Sequence, residues 1–270
     1  MTFKNLCLTI GLSLSLLLTA CSHKEDANTI SIGTIAGPET DLITTAADVA
    51  KQRYGLTVKI VTFNDYTTPN EALNNGDIDS NLFQHVPYLD AQIKARGYKL
   101  AVVGKSFVYP LGVYSKKITS LNNLPKNGTI AIPNDPSNEA RALLLIEKSG
   151  LIKLRANAGA NATLQDITSN PKHIKFSELD AAQTPRALAD VDAAVINNTY
   201  AAPAGLKLTD AIFKEGPDSL YVNVLVVQQG HENDPKVKEL LAAIQSQAVI
   251  DKAKQLFGDG AIPSFTPTTK

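Results

Sequence analysis

A strand, a helix and a second strand follow one another without interruption between Thr29 and Phe63. Thr29 to Ile35 (TISIGTI) reads as the first strand. Gly37-Pro38-Glu39 then opens a helix, because proline fits the first helical position and Glu39 and Asp41 place acid where the helix dipole favours it. Leu42, Ile43, Ala46, Ala47, Val49 and Ala50 form its apolar face, and Gly55 ends it. Leu56 to Phe63 is the second strand. Strands joined through a helix in this way run parallel, so the chain belongs to the α/β class.

The next stretch, Tyr66 to Asp90 (YTTPNEALNNGDIDSNLFQHVPYLD), adds to that unit. It reads as a helix from Pro69 to about Asn74, a turn at Gly76, a buried strand from Ile78 to Phe83, and a helix from Val86 with Pro87 in its first turn. Ligands of open α/β sheets collect at the carboxyl ends of strands, beside helix N-termini. Tyr66, Phe83, His85 and Tyr88 gather round one such strand exit. Each ring alone could be core filling; four together predict a small site. A fainter echo runs from Thr184 to Asn197, where D-V-D-A-A-V-I-N aligns with D-I-D-S-N-L-F-Q at 77–84. It suggests two α/β lobes, each delivering a strand end to a shared cleft.

Further along, Leu100 to Val103 and Val108 to Tyr114 read as strands separated by a Gly-Lys-Ser turn. Thr129 to Ile132 begins a new unit, with a polar turn from Pro133 to Asn138 before a helix from Glu139 to Ser149. Ile174 to Glu178, Ala193 to Ile196 and Val222 to Val227 are strands. Lys236 to Leu256 has helical periodicity with a break between Gln245 and Asp251, and the Pro/Thr-rich tail from Ile262 is expected to be loose. These elements place a first lobe at about 28–112 plus 224–270 and a second at 113–223. Leu111–Tyr114 and Val222–Val227 would be the hinge crossings, about which two lobes can close on a ligand.

The first twenty residues stand apart. Lys4 and the uncharged run from Leu6 to Ala20 describe a secretory signal peptide at 1–20 rather than a membrane span. Leu18-Thr19-Ala20-Cys21 resembles the bacterial lipobox, which would make Cys21 the lipid-bearing first residue and 21–28 its anchor and tether. The other cysteine, Cys7, leaves with the signal, so the fold has no disulfide to rely on. The formal charge is zero and no basic stripe appears, which disfavours nucleic acid. No nucleophile elbow, P-loop, G-x-G-x-x-G or H-E-x-x-H is present; His231-Glu232 comes closest, but Pro235 stands where the second His belongs. His23, His85, His173 and His231 are scattered, so neither metal nor cofactor is expected, and Asp77/Asp79 and Asp190/Asp192 read as strand starts rather than acid/base pairs.

Taken with the lipobox, six segments carry a resemblance. They are TIAGPE (34–39), DYTTPNEALNNGDIDSNLFQHVPYLDAQI (65–93), FVYPLGVYSKK (107–117), IPNDPSNEARALLL (132–145), AAQTPRALADVDAAVINNTYA (181–201) and YVNVLVV (221–227). Together they closely resemble the methionine-binding lipoproteins of ABC importers, the NlpA/MetQ family. The resemblance implies a two-lobed type II periplasmic-binding-protein fold with a ligand cleft between the lobes, and no enzymatic activity. It also implies a monomer, lipid-anchored to a bacterial membrane and facing the periplasm or cell surface, that hands L- or D-methionine to a permease with its ATPase.

Carried over motif by motif, the family's ligand-binding residues fall on Tyr66, Phe83, His85 and Tyr88 in the first lobe, Asn138, Arg141 and Asn197 in the second, and Asn223 on the return crossing. Arginine offers a planar donor fork to a carboxylate, asparagine both donates and accepts, and a thioether gains from aromatic neighbours. The chain departs from the family's usual pattern at Leu82, at the pair Asn197-Asn198 and at Leu220. Other ligands remain in play: a different amino acid or a methionine-containing dipeptide. So do a surface adhesin or antigen that keeps the binding fold, and a lipid-anchored hydrolase, for which no nucleophile–base pair is evident.

Overall fold

The computed structural model describes residues 28–216 and 219–268. The signal peptide, Cys21 and all of the tether but Asn28 lie outside the described residues. The chain forms β1 (Thr29–Ile35), α1 (Pro38–Tyr54), β2 (Thr57–Phe63), α2 (Thr68–Asn75), β3 (Ser80–His85), α3 (Val86–Arg96) and β4 (Leu100–Val108). There follow β5 (Gly112–Tyr114), β6 (Thr129–Pro133), α4 (Pro136–Lys148), β7 (Lys153–Leu154), β8 (Ile167–Ser169), β9 (Lys175–Leu179), α5 (Thr184–Ala187), β10 (Ala193–Ile196), α6 (Asn198–Ala201) and β11 (Phe213–Lys214). The last elements are β12 (Val222–Gln228), α7 (Pro235–Ile244), α8 (Gln247–Phe257) and β13 (Ile262–Pro263).

Two large sheets result, in the orders β13-β4-β12-β3-β1-β2 and β11-β5-β10-β6-β9, and β7 and β8 form a small antiparallel pair of their own. The two large sheets share a plan. A central strand (β1 or β6) pairs in parallel with the strands on either side, and one antiparallel strand (β12 or β5) flanks the β3 or β10 edge of that trio. The echo in the sequence is therefore an echo in space. The aspartates at the two strand starts act alike: Asp79 Oδ2 accepts from the Ser31 N–H at 2.7 Å, and Asp192 Oδ2 accepts from the Thr129 N–H at 2.8 Å. Each latches its strand to the sheet's central strand. The first lobe packs α1, α7 and α8 over Ile30, Ile32, Leu56 and Leu225, and the second packs α4 over Ile130, Ile132 and Val195. A third cluster joins the lobes, with Ile35, Phe83 and Tyr88 from one against Tyr114, Ile196 and Tyr200 from the other.

Several expectations need correcting. Gly104-Lys105-Ser106 is not a turn but part of β4. Glycine serves there for close packing, since a Cβ on Gly104 would come 2.6 Å from Leu241 Cδ2, and the β12–β4 register shifts nearby. The tail is pinned rather than loose: Ile262 and Pro263 pair with Val108 and Phe107, Phe265 packs edge-on against Phe107, and the Thr268 hydroxyl donates to Ala242 O at 2.7 Å. Helix α4 begins at Pro136, ahead of the expected Glu139, because the Asp135 carboxylate accepts from the Asn138 N–H at 3.0 Å and caps it. Strand β3 runs on to His85, two residues past Phe83. Strands β5 and β12 each lie wholly within a sheet, so the chain passes between sheets at Tyr109–Leu111 and between Lys214 and Val222, beside the expected hinge positions.

Candidate functional site

The carboxyl end of β3 supplies an aromatic wall. Phe83 points from the strand, Tyr66 precedes α2, and Tyr88 sits in the first turn of α3. Their ring centroids are mutually 5.8, 5.8 and 5.9 Å apart, and Tyr200 from the other lobe approaches Tyr66 to 4.8 Å. The Tyr88 hydroxyl donates to Tyr66 O at 2.7 Å, which ties the loop to the helix. Behind the wall lies a buried amide cluster: Asn70 and Gln84 exchange hydrogen bonds at 2.6 and 2.7 Å, and Asn81 bonds to each of them at 2.9 Å. The sequence did not single these three amides out as a cluster, because their mutual contacts join a helix to a strand.

His85 caps α3. Its Nδ1 accepts from the Tyr88 N–H at 3.2 Å, which leaves Nε2 to carry the proton toward Asn138 Oδ1 at 3.3 Å. Burial, with the nearby Arg141 charge second, pushes the imidazole down to about 3, so it is neutral throughout the physiological range. Across the cleft both Asp135 carboxylate oxygens hold the Asn138 Nδ2, at 3.0 and 2.9 Å. That turns Asn138 Oδ1 outward, where it receives His85 and also Asn197 Nδ2 at 2.8 Å. Asn138 thus joins a first-lobe histidine to a second-lobe amide, and Asn197 keeps a buried Oδ1 without a partner. Its neighbour Asn198 turns the other way and donates to Gly260 O at 2.7 Å, a second tie between the lobes.

Arg141 is not a free fork. Its Nε donates to Glu215 Oε1 at 2.8 Å, and its Nη2 donates to Glu215 Oε2 at 2.5 Å and to Tyr109 O at 3.0 Å. The Tyr221 ring stacks on its face at 4.3 Å. A guanidinium has five donor hydrogens; those contacts use three, and the two on Nη1 remain for an anion. Glu215 escaped notice because it lies 74 residues from Arg141, beyond any local spacing.

All eight residues expected at a site line one cavity between the lobes, together with Gln84, Tyr109, Asn198 and Thr199. One acid behind that cavity was misread. Glu39 was taken for an ordinary first-turn acid, yet it is only 2% exposed, and it accepts from Asn223 Nδ2 at 3.4 Å. Burial pushes its carboxyl up to about 8. In the unfolded chain the group ionises near 4.5, so folding stability is lost as pH rises from there through 8. Glu39→Gln removes that dependence. The variant should match the wild type in melting temperature near pH 5 and exceed it at pH 8, by an amount equivalent to a few kcal/mol. Parallel melting curves for the two proteins across this range would show that Glu39 titrates normally.

The comparisons with known proteins agree with one another. The family model described as NlpA lipoprotein matches residues 30–265. The chain is 50% identical over 255 residues to the D-methionine-binding lipoprotein MetQ of Salmonella typhimurium, covering 93% of this chain and 94% of that one. Among solved structures it is 58% identical to an ABC transporter periplasmic substrate-binding protein from Coxiella burnetii, with a TM-score of 0.85 over 87% of this chain and all of the other. A nutrient binding protein from Burkholderia cenocepacia, solved bound to methionine, is 51% identical, with a TM-score of 0.86 over the same shares.

Proposed function

The chain belongs to the NlpA lipoprotein family, and from that membership we propose that it is a substrate-binding lipoprotein of an ABC importer that captures methionine in the cavity between its lobes. The observation that carries the reading is the pairing of two unlike walls. Tyr66, Phe83 and Tyr88 offer three ring faces to a thioether, while Arg141 Nη1, Asn197 Oδ1 and Asn223 lie among the polar groups lining the same cavity. A thioether on one aromatic contact gains about 0.3–1.5 kcal/mol, so three faces discriminate against aliphatic side chains of similar length. The carboxylate takes Arg141, and the two asparagines complete the shell of the zwitterion. His85 and Asn138 bridge the lobes and hold the cleft shut over the ligand.

Membership of a substrate-binding family supports binding without catalysis. The L isomer is the first ligand to test and the D isomer the second, with a permease and its ATPase as the partners to which the ligand passes. The protein acts as a monomer. Sheet membership supports two lobes close to 28–112 with 224–270 and 113–223, with Gly112 moved to the second lobe, where β5 begins, and Val222 and Asn223 moved to the first, where β12 begins. A mass spectrum of small molecules released from purified protein should show methionine; a different amino acid or a dipeptide in its place would replace the ligand.

No helix among the described residues is long and apolar enough to cross a membrane. The lipobox-like Leu18-Thr19-Ala20-Cys21 and the lipoprotein family support attachment to the bacterial envelope through an acylated Cys21. Cys21→Ala should release soluble protein or leave uncleaved precursor. Fractionation that finds the variant still mature and membrane-bound would remove Cys21 as the anchor.

A further inference from the structure

An amino acid brings two charges into the cleft, and Glu215 already neutralises the cation that meets one of them, Arg141. Among the described residues, the carboxylates hydrogen-bonded to side chains that line the cavity are Glu215 on Arg141, Asp135 on Asn138 and Glu39 on Asn223. Glu215 also accepts from the Leu111 N–H and the Ser219 hydroxyl, and Asp135 is engaged by Asn138 and Ser137. Glu39 differs. Its Oε2 is buried and makes no hydrogen bond of good geometry; the one group close to it is the buried Tyr109 hydroxyl, a neutral donor that supplies no charge. Its Oε1 accepts from Asn223 Nδ2, which leaves Oδ1 as the atom Asn223 can offer to a donor in the cavity. We propose that Glu39 is the proton-linked counter-charge for the ligand's α-ammonium group: the ammonium donates to Asn223 Oδ1, Glu39 behind it gives up its carboxyl proton to solvent, and binding releases one proton. No covalent bond of the ligand changes. The proposal rests on the reading that the cleft holds an amino acid.

Burial at about 8 keeps Glu39 largely protonated at neutral pH in the ligand-free protein. The groups that face it are Asn223 from β12, Tyr109 from the crossing after β4 and, at longer range, Tyr66 from the β2–α2 loop. None of the three is a cation, and both phenols are pushed up by burial, so they stay neutral. An arriving ammonium supplies the missing positive charge, and an opposite charge within a few ångströms favours the ionised acid. Glu39 also stands at the second position of α1, where the helix dipole favours an anion. In this role Glu39 is a positioning residue: it holds the Asn223 amide and balances the charge that Asn223 receives.

The test is calorimetry of the full-length protein in detergent, unfolded and refolded to strip ligand, titrated with L-methionine in buffers of different ionisation enthalpy. The wild type should release roughly 0.5–1 proton at pH 7, and its Kd should fall by up to about tenfold per pH unit between pH 6 and 8. Glu39→Gln keeps an acceptor for Asn223 Nδ2, so it should bind with a proton count near zero and a flat Kd over that range. A second probe needs no variant: the desamino analogue 4-(methylthio)butanoate should bind the wild type without proton release. No proton release by the wild type between pH 6 and 8 would overturn the proposal. So would the same release from Glu39→Gln, or from the analogue. Absence of any methionine binding to the wild type would overturn the amino-acid reading itself, and this inference with it.

Discussion

Arg141→Ala should weaken methionine binding by roughly 2–5 kcal/mol, or about 30- to several-thousand-fold. The substitution removes the Nη1 hydrogens that await a carboxylate. It also leaves Glu215 without its ion-pair partner, so the ligand's carboxylate would enter a cavity whose nearest charge has the same sign. Stability should suffer as well, because a charge left unpaired in a largely buried place costs up to about 3–5 kcal/mol. The Glu215 side chain keeps 13% exposure and bonds from the Leu111 N–H and Ser219, which holds the cost to the lower part of that range. The two losses separate in a double variant. Arg141→Ala with Glu215→Gln should regain melting temperature without regaining affinity, since the buried charge is gone but the donor is still missing. Calorimetry on stripped, refolded protein reads the affinity, and an Arg141→Ala protein that binds methionine like its parent would move the carboxylate elsewhere in the cleft.

Phe83→Ala should act differently. Phe83 is 3% exposed and packs between Tyr66 and Tyr88, so its loss opens one wall of the aromatic cage and a void beside the interlobe cluster. Truncating a buried phenylalanine typically costs about 3–5 kcal/mol of stability. A site that opens toward a cavity already tolerates a void, which argues for the lower end. The loss in methionine affinity should be on the order of 1–3 kcal/mol, part burial and part ring–sulfur contact. The variants also differ in kind. Arg141→Ala should weaken every amino acid alike, whereas Phe83→Ala should hurt methionine more than alanine. Equal losses for the two ligands would mean that Phe83 does not face the side chain.

The contrast between these two residues tracks what a sequence can reveal. Phe83, His85 and Tyr88 could be placed at a site from local pattern, because a buried strand followed by a proline-started helix fixes where ligands gather. The β1–α1 boundaries follow from equally local signals, a proline at the first turn and a glycine in the left-handed region at φ 67° after the last. Arg141 and Asn223 carried no such signal and came only through the resemblance. Glu39 and Glu215 were missed for one physical reason: their partners lie 184 and 74 residues away, and only the folded chain brings them together. Gly104 misled in the opposite direction, since glycine that admits a neighbouring helix looks the same as glycine that makes a turn. The tail misled too, as composition alone does not disclose that Ile262 finds an open sheet edge at Val108.

The central claim is that methionine sits in this cleft with its sulfur on the rings and its carboxylate on Arg141, and the chain's own composition offers a direct test. Its sulfur atoms are confined to Met1, Cys7 and Cys21, all outside residues 28–268. Long-wavelength anomalous diffraction from crystals grown with methionine should therefore show a single sulfur peak within residues 28–268, lying among Tyr66, Phe83 and Tyr88, with carboxylate density against Arg141. A cleft without that peak in crystals soaked at saturating methionine, or a peak at the Arg141 end with the ligand reversed, would contradict the account.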